Sequence, residues 1–310
     1  MQTQFGRFAR RAAAWLKPSI DWAAGVTALA LLKLFRRADP KRSVAFAARF
    51  MRRLGPWLAE HKVGHANLTA AFPEKSQTEI DAILDGVWDN LGRVGAEYPN
   101  LDRLGLDQIL QSSERVEIAP NSLERFVHLR DDGKPALLFA AHLANWELPA
   151  VVAAAFGLPT SILYRRPNIA DIADALQSIR AVNMGTLISA RGVDAAFKVA
   201  AAVEKGDHVG ILVDQHFSRG VDVTFFGRPC KANPLLARMA RRFECPIHGA
   251  RVVRLPDNRF RLELTDEIAP ARDASGAIDV AGTMQIVTSV VEQWVREHPE
   301  QWLWLHRRWR

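Results

Sequence analysis

The sequence lacks the marks of the commonest kinds of site. Only two cysteines occur, Cys230 and Cys245, at a spacing that fits neither a metal-binding pair nor a Cys-x-x-Cys motif. The chain therefore suits a reducing compartment, and its thiols read as packing residues. There is no GxSxG elbow, HExxH pair, P-loop or GxGxxG fingerprint, so serine hydrolases, zinc proteases, nucleotide kinases and dinucleotide enzymes lose their usual signatures. Neither a cofactor nor a metal is expected. Internal repeats and low-complexity tracts are absent, and a hydrophobic fraction of 48% argues for a folded core. Long apolar runs are missing too. The best is WAAGVTALALL, Trp22 to Leu32, bordered by Asp21 and Lys33. As a helix it rises about 16 Å, well short of the roughly 30 Å hydrocarbon core. It is marginal as a span, whereas a helix lying in the interface needs no extra length.

Charge is plentiful but unevenly placed. Residues 1–60 hold twelve basic side chains against three acidic ones, a balance of +9, and the whole-chain value of +7 leaves −2 for the rest. Interleaved with Trp15, Trp22 and Trp57, this segment suits an anionic lipid surface. There each cation is worth about 1 kcal/mol and indole rings settle at the interface. An anionic phospholipid surface is thus the expected partner. Nucleic acid is not expected, since the cations flank an apolar run and no nucleic-acid motif occurs. The chain divides into a basic, helical membrane-anchor region, 1–60, and an α/β domain, 61–310.

Residues 43–72 carry helical periodicity, and Ser76 and Glu79 have capping-box spacing ahead of Ile80, Ile83, Leu84, Val87, Trp88 and Leu91. From residue 115 strands and helices alternate. Strands are expected at Ala136–Ala141, Thr160–Tyr164, Thr186–Ser189, Val209–Asp214, Val223–Phe226, Ile247–Arg254 and Phe260–Leu264. Helices are expected at Ile169–Val182, Asp194–Lys205 and Val280–Glu297. This alternation gives an α/β fold, a mostly parallel mixed sheet flanked by helices, with a membrane-associating helical segment in front.

The chemistry centres on LLFAAHLANWELP, residues 137–149. His142 and Glu147 stand five apart, a spacing that neither helix nor strand brings together but that a strand-to-helix bend does. A carboxylate on one ring nitrogen fixes the tautomer and leaves the other nitrogen as a general base. A lone His and Glu near a strand end also occur by chance, so other clusters matter. YRRPN supplies Arg165 and Arg166, DQ supplies Asp214 and Gln215, and FFGRPCKAN presents Arg228 and Lys231 near a helix expected from about Pro234, where a phosphate could bind. Each has a structural alternative: Arg165 and Asp214 could pair to close the sheet, and FFG could be only a hairpin turn. A His base without its own nucleophile suggests direct attack by a substrate hydroxyl.

Taken together, AAFPEKS, HLANWE, the YR strand end, VDQ followed by FFG, and PEQWLWLHRRWR at the end resemble the lipid A late-acyltransferase family, often described as lauroyl or myristoyl acyltransferases, within the glycerolipid acyltransferase superfamily. The matching pieces run from about residue 65 to the end. HLANWE is shared widely; the DQ-to-FFG interval and the WLWLHRRW ending are more specific. The resemblance implies that His142 is the base and Glu147 its partner, with Arg165 and Asp214 the other charged site positions. It implies a cytoplasmic-face inner-membrane enzyme that takes acyl groups from an acyl-carrier-protein thioester and places them on a lipid A precursor. Arg166, Arg228, Lys231, Arg307 and Arg308 would then meet phosphates and sugar carboxylates. Two departures stand out: Ile169 occupies a position where many relatives have proline, and the N-terminal apolar run is weak. Rival readings are another lipid acceptor, such as a phosphatidylinositol mannoside, or a non-catalytic lipid-binding module.

Overall fold

The computed structural model describes residues 22–23, 25–103, 115–165, 170–190 and 194–309. Arg166 and Ile169 therefore lie outside the described residues, as do residues 1–21 of the leading basic segment, Trp15 among them. Residues 25–37 are helical. Among the described residues no helix is long and apolar enough to cross a membrane.

Three helices follow: α1 (Pro40–Leu54), α2 (Ala59–Ala71) and α3 (Gln77–Glu97). The continuous helical pattern expected over 43–72 is broken by Gly55 and Pro56, which form a single tight turn between α1 and α2. α3 begins with the expected capping box. The Ser76 amide donates to Glu79 Oε2 at 2.8 Å, and the Glu79 amide donates to Ser76 Oγ at 3.4 Å. α1 lies against α3 through Val44, Ala47 and Ala48, so closely that a Cβ on Gly92 would collide with the Ala47 carbonyl. Arg52 and Asp85 fasten the pair at 2.6 Å.

The remaining chain is an α/β layer structure: β1 (Val116–Ile118), α4 (Pro120–Asp131), β2 (Leu137–Ala140), α5 (Leu148–Ala155), β3 (Thr160–Tyr164), α6 (Ala170–Asn183), β4 (Thr186–Ser189), α7 (Ala195–Glu204), β5 (His208–Leu212), β6 (Val221–Phe225), β7 (Arg228–Ala232), α8 (Leu235–Phe243), β8 (Ile247–Leu255), β9 (Arg259–Leu264) and α9 (Val280–Glu297). All seven expected strands form, each end within two residues of its expected place. Three elements have no counterpart among the sequence expectations. β1 is too short to show alternation, α4 opens on a proline in a polar stretch, and β7 contains Pro229. FFG is the hairpin turn joining β6 to β7, with positive φ at both Phe226 (53°) and Gly227 (67°), the primed geometry that matches strand twist.

Seven strands form one sheet in the order β1-β9-β8-β2-β5-β3-β4, parallel throughout except where β9 runs antiparallel to β8. Its two faces differ. Leu137, Phe139, Val209, Ile211 and Ile247 pack into a large core with α7, α8 and α9, joined by α2 and α3. The alternate residues Leu138, Ala140, Gly210, Leu212 and Ala250 face α4 and α5 across a cavity of about 620 Å³.

Candidate active site

Strand register explains how the site forms. β2 and β5 are neighbours, and Ala140 pairs with Leu212. Two residues beyond each, at the carboxyl ends of adjacent parallel strands, stand His142 and Asp214, where ligand sites of open α/β sheets lie. His142 Nδ1 is 2.8 Å from Asp214 Oδ1, while the His142 amide donates to Asp214 Oδ2 at 2.7 Å. The Trp302 indole donates to that same Oδ2 at 2.8 Å. The Asp214 side chain is fully buried and that of His142 is 12% exposed. His142 Nε2 is left toward the cavity, with Gln215 Nε2 at 3.4 Å and the Trp146 ring 5.2 Å away between centroids.

The backbone around His142 is held from three directions. Its carbonyl accepts from the Leu303 amide at 3.1 Å, and Leu143 forms a bridge with Trp302. Ala144, at φ 48°, donates its amide to the Gln301 carbonyl, and Asn90 of α3 donates to both the Ala144 and Gln301 carbonyls at 3.1 Å. Asn145 donates to Glu97, whose carboxylate is paired with Arg254 at 2.5 Å. Strand, helix and C-terminal tail thus converge on one loop.

The electrostatics follow from this packing. Burial alone would lower the His142 pKa, but the adjacent Asp214 charge, the bond to it and the more distant Glu147 outweigh burial and raise it above the ordinary histidine value. Burial alone would raise the Asp214 pKa, yet the His142 charge and hydrogen bonds hold it well below the usual carboxylate range. The two shifts stabilise a carboxylate beside a ring that takes up a proton readily.

The expected contact between His142 and Glu147 is not formed. Glu147 sits at the start of α5 and takes a two-point ion pair with Arg180 of α6, Nη2 to Oε1 at 2.5 Å and Nε to Oε2 at 3.1 Å. Arg180 in turn lies between the rings of Tyr98 and Tyr164, 5.7 and 5.6 Å from their centroids. The i+5 spacing puts Glu147 past the bend and turned toward α6, whereas the sheet brings Asp214, 72 residues away, directly to the ring. Arg165 does not pair with Asp214 to close the sheet; it is exposed and lines the cavity. Gln215 lines the cavity too. Lys231 is committed to Asp222 across the hairpin at 2.7 Å, and Arg228 lies over the Trp309 ring at 4.6 Å, so the two do not form a cradle at the start of α8. Arg308, expected to meet acceptor charges, is buried behind the site and donates to the Lys231 carbonyl at 2.6 Å. Arg307 is exposed.

Sequence reasoning missed Arg180 and Trp302 as site residues. A lone Arg in an amphipathic helix carries no signal, and the tail stands out in the sequence for its aromatic density without a target. The cavity is also invisible in the sequence, although its lining of Ala140, Ala150, Ala153, Gly210 and Ala250 explains the room. At Gly210 a Cβ would come within 2.7 Å of Ile162 Cδ1.

A buried histidine–carboxylate pair at a strand end, opening on an apolar cavity between sheet and helices, is the layout of an α/β enzyme for a substrate with a long apolar part. The chain belongs to the bacterial lipid A biosynthesis acyltransferase family, whose model matches residues 10–310. Comparison with curated proteins gives no match. The resemblance drawn from HLANWE, the DQ-to-FFG interval and the tryptophan-rich tail is thereby established at the level of the family.

Proposed function

We propose that the protein transfers a fatty acyl chain from an acyl-carrier-protein thioester to a hydroxyl of a lipid A precursor, with His142 as the general base and Asp214 as the carboxylate that orients it. The observation that carries this reading is the His142–Asp214 pair, with Nδ1 engaged at 2.8 Å and Nε2 at the cavity, met there among the described residues only by the Gln215 amide at 3.4 Å. The acceptor hydroxyl gives its proton to Nε2 as its oxygen bonds to the thioester carbon. The tetrahedral oxyanion then collapses, the C–S bond breaks, and the carrier thiolate departs with the proton returned from His142. With a thiol pKa near 8.5, little acid assistance is needed. Arg165, exposed at the cavity, is suited to meet the oxyanion or an acceptor phosphate.

The 620 Å³ cavity supplies the acyl site. Gly210→Val would narrow it halfway along the sheet and shift donor preference toward shorter chains. Each lost methylene contact is worth about 0.8 kcal/mol, roughly fourfold. Competition among acyl-carrier-protein thioesters of graded length reads this out, and an unchanged chain profile would place the acyl group elsewhere.

On this reading the enzyme works at the cytoplasmic face of the inner membrane, supported by the outer face of α1. Opposite the buried Val44, Ala47 and Ala48, that face carries Arg42, Phe46, Arg49, Phe50 and Arg53, with Phe46 56% and Phe50 50% exposed and stacked 6.1 Å apart. Trp57, just beyond, is 86% exposed. Replacing both Phe46 and Phe50 by Glu is expected to weaken binding to anionic vesicles at least tenfold in a flotation assay; unaltered binding would remove α1 from the membrane surface.

A further inference from the structure

The tail after α9 enters the active site at one side chain. Three of its tryptophans are ordered by indole hydrogen bonds. Trp304 donates to the Pro299 carbonyl at 2.7 Å and Trp309 to the Phe225 carbonyl at 3.2 Å, bonds that fold the tail onto the body. Trp302 differs. Its N–H reaches the Asp214 carboxylate at 2.8 Å, and its ring is 1% exposed, edge-on to Trp304 and Phe225.

Asp214 Oδ2 thus receives two donors, the indole and the His142 amide, which fix the plane of the carboxylate and leave Oδ1 aimed at the ring. The same tail also fixes the ring's own backbone, through the Leu303 amide on the His142 carbonyl. Arg308 holds the next stretch, donating to the Lys231 carbonyl and, at 3.4 Å, to that of Gln215, whose side chain faces His142 Nε2.

We propose that Trp302 is a positioning residue for acyl transfer, acting through Asp214 to set the orientation and basicity of His142. This rests on the assignment of His142 as the general base. A buried carboxylate that loses one of its donors keeps more of its charge for its remaining partners. Removal of the indole N–H therefore strengthens the pull of Asp214 on the imidazolium and moves His142 deprotonation to higher pH. The other charged or titratable groups around the pair are Glu147, Arg180, His306 and Arg308; His306 packs edge-on to the Trp302 ring at 5.2 Å, a contact that a ring of the same volume keeps.

The test uses the full chain in detergent with two replacements at position 302: Trp302→Phe and the isosteric benzothienylalanine, which keeps the ring volume and lacks the N–H. For the isostere, kcat is expected to fall roughly ten- to hundredfold, the range for one lost hydrogen bond to a charged group, with KM little changed. The acid limb of kcat/KM is expected to move to higher pH. A defect in Trp302→Phe with a fully active isostere and an unshifted limb would overturn the proposal, because packing alone would then account for the tryptophan. Should the wild type be inert toward the lipid acceptor, titration of the His142 ring by NMR in nitrogen-15 histidine-labelled protein tests the same coupling without turnover. An upward shift in the isostere supports the positioning role, and an unmoved titration rejects it.

Discussion

Asp214→Asn is expected to lower kcat by roughly 10³- to 10⁴-fold, the loss seen when the carboxylate behind a histidine base becomes an amide. The amide oxygen of Asn can still accept from the Trp302 indole and the His142 backbone. Its NH2 group would then point at Nδ1, forcing the proton onto Nε2, the nitrogen that must accept from the hydroxyl. The pH dependence adds a signed test. In the wild type, transfer needs a neutral imidazole, so kcat/KM should rise with pH through the raised His142 value and level off above it. In Asp214→Asn the charge that offsets burial is gone, and the limb should move to lower pH. Steady-state rates across the acid and neutral range on folded protein would measure both effects. Near-wild-type turnover in the variant would show that Asp214 does not orient the base.

Glu147→Gln is the second large effect, and it separates the two carboxylates. Glu147 and Arg180 are both mostly buried, with side chains 7% and 14% exposed. Removing the charge from one partner of such a pair strands the other and costs about 3–5 kcal/mol of stability. Replacing both by apolar residues of similar size, Glu147→Met with Arg180→Met, should recover most of that loss. Denaturant unfolding of the two variants would show it; equal stability of Glu147→Gln and wild type would mean the pair carries no weight. In activity per folded molecule, Glu147→Gln should lose less than Asp214→Asn, since the ring keeps its Nδ1 partner. An equal loss would bring Glu147 to the ring during turnover.

The contrast between these residues marks how far the sequence can be read. Strands such as Thr160–Tyr164 and Thr186–Ser189 are legible because short apolar runs between turn residues have few other solutions. His142 is legible as a polar residue directly after such a run, and Asp214 and Gln215 for the same reason. The pairing of His142 with Asp214 is not, because it depends on β2 and β5 being neighbours, and strand order is not written in local pattern. Chain proximity favours Glu147, and the bend expected to bring it to the ring turns it to Arg180 instead. Lys231 and Arg228 are legible as cations beside a turn, but the strand that follows the turn engages one with Asp222 and the other with Trp309. Likewise, aromatic density marks the tail as unusual, while its contact with Asp214 needs the fold.

The most direct measurement is acyl transfer by the purified chain in detergent, from a panel of acyl-carrier-protein thioesters to a lipid A precursor, with His142→Ala alongside. The account predicts transfer by the wild type and its loss in a variant that still unfolds cooperatively. A wild type inert with every donor, or a His142→Ala variant as active as wild type, would contradict it.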